Sequence, residues 1–368
     1  MPYTYNYSHG SRITLHRQSP YITRNDVTMS TATATSMWGI YNARYAPGTS
    51  KQYAKAYGRF RQWCMEHHID IDAEAVKQQH HIDNILSVYL TELYLHNDKM
   101  GSSGKTEAVH TVFGLLHFQT HLQKSTLRKS LGILDGWGRL KPSISTPPMS
   151  FKITVAVAVA MARSGYTEAA IATLVAWDCY LRVSEYCNLQ VKDVIPSHDT
   201  RIDVSSSSHN TSSSAPSTII TLPHSKTGTH QSVAIRNPQI DALLTAYLQH
   251  SNKPPNSKLF PFSASEYTEI LHQATYALGM QHIHFTPHSL RRGGATGQFM
   301  EMGEAALQQI MLRGRWLSFN SIRTYIQMAP SFMAEHSILA STLHIGSRYQ
   351  DQLLSQLLPY VTHSTNTQ

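Results

Sequence analysis

Cysteine is nearly missing. Three residues, Cys64, Cys179 and Cys187, are scattered over 368 positions. The number is odd and no CxxC pair occurs, so neither a disulfide framework nor a cysteine zinc site is supported. A reducing, intracellular setting is expected, the nucleus in a eukaryote and otherwise the cytoplasm. The first residues hold no apolar run of signal-peptide type, and nowhere do about 18 apolar residues follow one another. The expectation is a soluble protein with no membrane partner. Acid is also thin: 23 Asp and Glu stand against 31 Lys and Arg, a formal charge of +8, which favours a polyanionic partner. Histidine is plentiful at 22 residues. Yet His67-His68, His80-His81 and His282-x-His284 lie in no HExxH and beside no ligand-spaced Cys or Asp cluster, so no metal site is expected.

The length allows two domains with separate cores. Residues 1–30 are polar, spotted with tyrosine and without helical period, and read as a flexible arm whose cations include Arg12, His16, Arg17 and Arg24. Over residues 31–140 apolar positions recur at three and four: Tyr53, Ala56, Tyr57, Phe60, Trp63 and Cys64, then Ile85, Val88, Tyr89, Glu92 and Leu93. Val109, Val112, Phe113 and Leu116 make a third segment, and Leu127, Leu131 and Leu134 a fourth. A bundle of about four helices is expected. Lys51, Lys55, Arg59 and Arg61 gather on one polar face without matching acids, and Lys124, Arg128 and Lys129 do so near the last helix. One charged run is ordinarily a solvated face. Two on one bundle read better as contacts to the backbone of double-stranded DNA. Residues 141–150, opening KPSISTPP, are the linker, rich in Pro and Ser. Residues 151–368 form the second domain.

In that domain Thr167 to Leu181 is apolar nearly all round, as in a buried helix, and Arg182-Val183-Ser184-Glu185 follows. Read alone, Arg182 caps the end of that helix and Glu185 pairs with it at the surface. Residues 205–217 are a serine-rich loop. STIITL (217–222) and HQSVAIR (230–236) alternate apolar and polar residues around a turn-like 223–228, a β-hairpin with Lys226 near its tip. Residues 237–250 and 263–279 read as helices, the latter opened by a Ser263/Glu266 capping box. A short helix is expected near 332–343, then a terminal segment with Leu353, Leu354, Leu357 and Leu358 on one face, which read alone folds back on its own domain.

The stretch Thr286 to Tyr325 organises the rest. Thr286-Pro287 is a helix start, with the threonine oxygen as N-cap. His288, Arg291, Ala295, Phe299 and Met302 then fall on one stripe, so two basic groups point inward. No Asp or Glu lies between Thr286 and Met300, and a buried guanidinium needs an anion. A distant carboxylate or a ligand phosphate would serve. Gly314-Arg315-Trp316 closes the next helix, and Ile322, Tyr325, Ile326 and Ala329 place Tyr325 on the apolar face of another.

His-x-x-Arg, Gly-x-Trp and a tyrosine nine positions after the tryptophan resemble the tyrosine recombinase, or phage integrase, family, as do the upstream Arg-x-x-Glu and the hairpin lysine. The details of HSLRRGGAT and RGRWLSFNSIRTY look most like recombinases of eukaryotic mobile elements of Crypton or DIRS type. The resemblance implies a mainly α fold with a small β-sheet, in which an N-terminal helical core-binding domain precedes a mixed α+β catalytic domain. It implies DNA cleavage and rejoining through a 3′-phosphotyrosyl intermediate, without metal or ATP, in a homo-oligomer, a tetramer on DNA, with the terminal helix docked on a neighbouring protomer. Tyr325 would be the nucleophile, Lys226 the general acid, Arg182, Arg291, His288 and Trp316 the phosphate donors, and Glu185 their support. Family spacing selects Arg291 over Arg292. A type IB topoisomerase-like nicking-closing enzyme and a catalytically inactive DNA-binding protein are the competing readings.

Overall fold

A computed structural model describes residues 3–5, 13–15, 39–73, 79–99, 104–142, 145–197, 217–225 and 228–363. Lys226, the serine tract up to residue 216, and Arg12, His16, Arg17 and Arg24 lie outside them. The fold is mainly helical with a three-stranded antiparallel sheet, and the chain divides into two compact units, Met1–Ile144 and Ser145–Gln368. No described helix is long and apolar enough to cross a membrane.

In the first unit, β1 (Tyr3–Tyr5) pairs antiparallel with β2 (Ile13–Leu15), Tyr3 opposite Leu15. The arm thus holds a short hairpin of β-branched and aromatic residues, a preference that helical period does not register. Among the described residues, four helices of 13 residues or more follow: α1 (Pro47–Glu66), α2 (Gln79–Lys99), α3 (Lys105–Phe118) and α4 (Arg128–Leu140). The first packs on α3 and the second on α4, around Tyr57, Phe60, Cys64, Leu86, Leu90, Val112, Leu115, Leu134 and Trp137. Val88, expected on the buried stripe of α2, is 51% exposed, because Ile82, Ile85, Leu86, Tyr89 and Leu90 take the inward face. The N-terminus of α4 is closed by Asp83 of α2, which accepts from the backbone N–H of Lys129 (2.9 Å) and Ser130 (3.0 Å). A carboxylate there satisfies orphan donors and the helix dipole together.

In the second unit, α5 (Phe151–Arg163) and α6 (Thr167–Asp178) pack against each other and are buried on almost every face. The sheet runs β3 (Val194–Ile195), β4 (Ile219–Ser225), β5 (Gly228–Ala234). Ser225 pairs with Gly228, so the strands continue through most of the expected turn. Next come α8 (Pro238–Ser251), capped by the Asn237 side chain, and α9 (Ala264–Ala277), opened by the reciprocal Ser263/Glu266 box, with α7 being the short helix Val183–Tyr186.

Beyond α10 (Pro287–Met302) and α11 (Leu307–Arg313), the chain forms α12 (Phe319–Arg323), α13 (Met328–His336), α14 (Ala340–Tyr349) and α15 (Leu353–His363). The helix expected near 332–343 is therefore two helices broken at 337–339. On α15, Leu353, Leu357 and Val361 are buried in the core of their own unit, and the helix packs on α8 and α5. This is the fold-back arrangement, with Leu354 and Leu358 left half-buried beside the covered Leu353 and Leu357.

Candidate functional site

The first part of the site is a strained turn. Helix α6 stops at Asp178, and Tyr180 then adopts φ +51°, a conformation that L side chains rarely hold. Arg182 does not cap α6. It opens α7, where Glu185 accepts from the Arg182 backbone N–H (2.8 Å) and from its Nη1 (2.6 Å). The Glu185 side chain is only 3% exposed, so the pair is not surface decoration.

Helix α10 supplies the second part. Gly293 and Gly294 let it lie directly on the chain before it: a Cβ on Gly293 would sit 1.8 Å from the Met149 carbonyl oxygen, and one on Gly294 2.1 Å from that of Trp177. Thr286 caps differently from expectation. Its hydroxyl has no partner, and Ser289 Oγ instead accepts the Thr286 N–H at 3.1 Å. The stripe is broader too: Arg291 and Ala295 are fully buried, while Met302 is 47% exposed and His288 lies at the surface. Arg291 meets no carboxylate of its own. Its Nη1 and Nη2 donate to the carbonyls of Tyr180 and Gly314, and its guanidinium stacks 4.5 Å from the Trp316 ring.

The third part follows α11. Glycine is the usual residue for a left-handed turn after a helix, but here Gly314 has φ −80° and Arg315 takes φ +56°. The glycine is needed for space instead, since a Cβ there would fall 1.7 Å from the Trp316 ring. Arg315 is buried, its Nη2 2.8 Å from Glu185 Oε2 and 3.2 Å from the Tyr180 carbonyl. Tyr325 is on no helix. It lies between α12 and α13, its N–H bonded to Ile322 O (2.8 Å) and its carbonyl accepting from Thr296 Oγ1 (3.1 Å). The 3.6 period ran across a helix end that the apolar pattern does not mark. The Tyr325 ring centroid is 4.7 Å from that of Trp316 and 5.0 Å from that of His288, with Arg291 Cζ at 5.5 Å and Arg292 Cζ at 5.9 Å.

Charge is unbalanced here. Three guanidiniums, of Arg182, Arg291 and Arg315, surround the single carboxylate of Glu185, which bonds Arg182 and Arg315. Burial, and then the charges of Arg182 and Arg315, press the Arg291 pKa downward, as expected of a cation short of counter-charge. The Nε atoms of Arg291, Arg292 and Arg315 and the indole N–H of Trp316 are buried without a partner. His288 is pushed down to about 4, first by the protein packed on one side of it and then by the guanidiniums of Arg292, Arg291 and Arg182. It is therefore neutral at pH 7. The arrangement can accept an anion against several donors beside a phenol.

Arg182, Glu185, His288, Arg291, Trp316 and Tyr325 are thus brought together. Arg292 also stands beside Tyr325, its guanidinium 5.9 Å from the ring while it donates to Ser145 Oγ, to Thr146 O (2.7 Å) and to Gln327 Oε1 (3.3 Å). Sequence reasoning missed Arg315 and the Tyr180 carbonyl. Nothing local marks an arginine that pairs with a carboxylate 130 positions away.

On the first unit the basic faces need correction. Arg59 is paired with Glu107 of α3, and Arg61 with Asp72 (3.0 Å). Acids from elsewhere in the fold match what the helix itself leaves unmatched. Lys129 Nζ bonds Asn84 Oδ1 at 2.6 Å and Lys124 lies over the Phe113 ring. Lys51, Lys55 and Arg128 are exposed with no acidic partner among the described residues.

In comparisons with known proteins, residues 153–331 match the Phage integrase family. A crystal structure of XerA recombinase is similar at 17% identity and a TM-score of 0.36, covering 81% of this chain and 98% of that one, too loose an overlap to bear on function. No curated protein matches the chain. Residues 153–331, which carry the gathered arginines, His288, Trp316 and Tyr325, are the part of the chain that belongs to the phage integrase, or tyrosine recombinase, family.

Proposed function

We propose that this protein breaks and rejoins double-stranded DNA by attack of Tyr325 on a backbone phosphodiester. The observation that carries this reading is a phenol set against a buried cluster with surplus positive charge and unpartnered donors. A diester monoanion supplies the missing counter-charge. Arg182, whose side chain is 18% exposed, offers its outer N–H groups to the non-bridging oxygens, and the buried Arg291 and Trp316 act on them from behind through their field.

In the step, the Tyr325 oxygen bonds to phosphorus and the bond from phosphorus to the 5′ oxygen breaks. The phenol proton departs to water, and Lys226 gives a proton to the leaving oxygen. The product is a 3′-phosphotyrosyl ester. It conserves the bond for rejoining, so no nucleotide cofactor enters the scheme. Lys51, Lys55, Lys124 and Arg128 give the first unit a grip on the DNA backbone, in which Arg59 and Arg61 have a smaller part because each is already paired.

The test is covalent capture. The full chain is incubated with a pool of nicked duplexes of randomised sequence, denatured, and the DNA-linked peptide mapped. An adduct on the peptide holding Tyr325 is expected. An adduct on any other residue overturns the nucleophile assignment, and DNA binding with no adduct favours a non-catalytic DNA-binding protein.

A further inference from the structure

Arg315 fills the unspecified position of the Gly-x-Trp motif, yet it is a buried guanidinium on a left-handed turn. It holds φ +56° where glycine would be unstrained, and its side chain is 4% exposed. Nη1 donates to Arg313 O (3.1 Å), while Nη2 is divided between Glu185 Oε2 (2.8 Å) and Tyr180 O (3.2 Å). Tyr180, the other strained residue of the cluster, turns its carbonyl to the same place, where Arg291 also donates. Two left-handed turns from distant parts of the chain therefore converge on one carboxylate and one carbonyl.

The consequence is a matter of charge. Without Arg315, Glu185 would face Arg182 alone and could take it as a closed bidentate pair, drawing it away from any phosphate. Arg182 and Arg291 against Glu185 would then leave one surplus positive charge, equal to that of a phosphodiester. With Arg315 the surplus is two. When the phenol oxygen bonds to phosphorus and its proton leaves, the pentavalent species carries two negative charges, so the cluster matches the transition state better than the substrate. We propose that Arg315 is a positioning residue for strand cleavage: by holding one oxygen of Glu185 it keeps Arg182 open to phosphate and supplies the second unit of counter-charge. This rests on the phosphodiester reading above.

The experiment measures single-turnover adduct formation by the full chain on the nicked-duplex pool, together with DNA affinity. Wild type is compared with Arg315→Gln, Arg315→Lys and the double variant Arg315→Gln/Glu185→Gln. Arg315→Gln should lower the adduct rate by about 100-fold while affinity changes by no more than about two-fold, since the effect lies in the transition state. The double variant restores the surplus of two and should recover at least about ten-fold of the loss. A role confined to folding predicts the reverse, a double variant no faster than the single one. Should Arg315→Gln not fold, Arg315→Lys and the double variant decide: both should form adduct faster than Glu185→Gln with Arg315→Glu. Wild-type rates in Arg315→Gln, or no recovery in the double variant, overturn the inference alone. Absence of any adduct in wild type overturns the phosphodiester reading and this inference with it.

Discussion

Tyr325→Phe removes one oxygen atom, and the structure says how little else should change. The phenol oxygen makes no hydrogen bond among the described residues. The ring's neighbours, Trp316 at 4.7 Å, His288 at 5.0 Å and Arg291 at 5.5 Å, remain available to phenylalanine. A packing tyrosine whose hydroxyl is bonded would lose about 1 kcal/mol on this change. Here the loss should stay within about 0.5 kcal/mol, a shift in Tm of about 2 °C or less for a domain of this size. DNA affinity should be unaltered, because the change keeps the ring and leaves every cation beside it in place. The adduct should nevertheless disappear completely, since nothing else there offers an equivalent oxygen. Differential scanning fluorimetry and covalent capture on the same preparations measure both. A Tm drop beyond about 4 °C would show that the hydroxyl is a structural partner, and a persistent adduct would refute the nucleophile assignment.

Three other outcomes follow from particular contacts. Lys51→Ala and Arg128→Ala should each flatten the log–log salt dependence of DNA binding by about 0.9, whereas Arg61→Ala, whose guanidinium is held by Asp72 at 3.0 Å, should change it less. Equal slopes for all three would show that the ion pair does not persist on DNA. Truncation before Leu353 strips Leu353, Leu357 and Val361 from the core, each such side chain contributing about 1.5–3 kcal/mol when buried. Thermal melts should show a much weakened second unit, and an unchanged Tm would mean that α15 is not part of it. For His288, the folded pKa of about 4 lies below the unfolded value of about 6.5. Between them the unfolded chain binds a proton that the folded chain refuses, so stability is lost as pH falls from about 6.5 towards 4. His288→Gln should flatten that stretch in urea melts, and a parallel profile would contradict it.

What the sequence by itself determined is whatever depends on neighbours along the chain. The period of Tyr53, Tyr57, Phe60 and Cys64 marks α1 because positions three and four apart share a face, and Ser263 with Glu266 marks the start of α9 because a cap spans one turn. The order His288, Arg291, Trp316, Tyr325 carries the family for the same reason. Tertiary structure decided where charges meet. Arg291 ends on the carbonyls of Tyr180 and Gly314, 111 and 23 positions away, and Arg315 on Glu185, 130 positions away, through left-handed turns that no local preference foretells. Arg59 and Arg61 found acids from other elements, and the leucines of α15 found α8. Helical pattern tells that a face is apolar or a side chain charged. Which surface or counter-charge it meets depends on how distant segments fold back, because Coulomb energy and burial act on distance in space and not on separation in sequence.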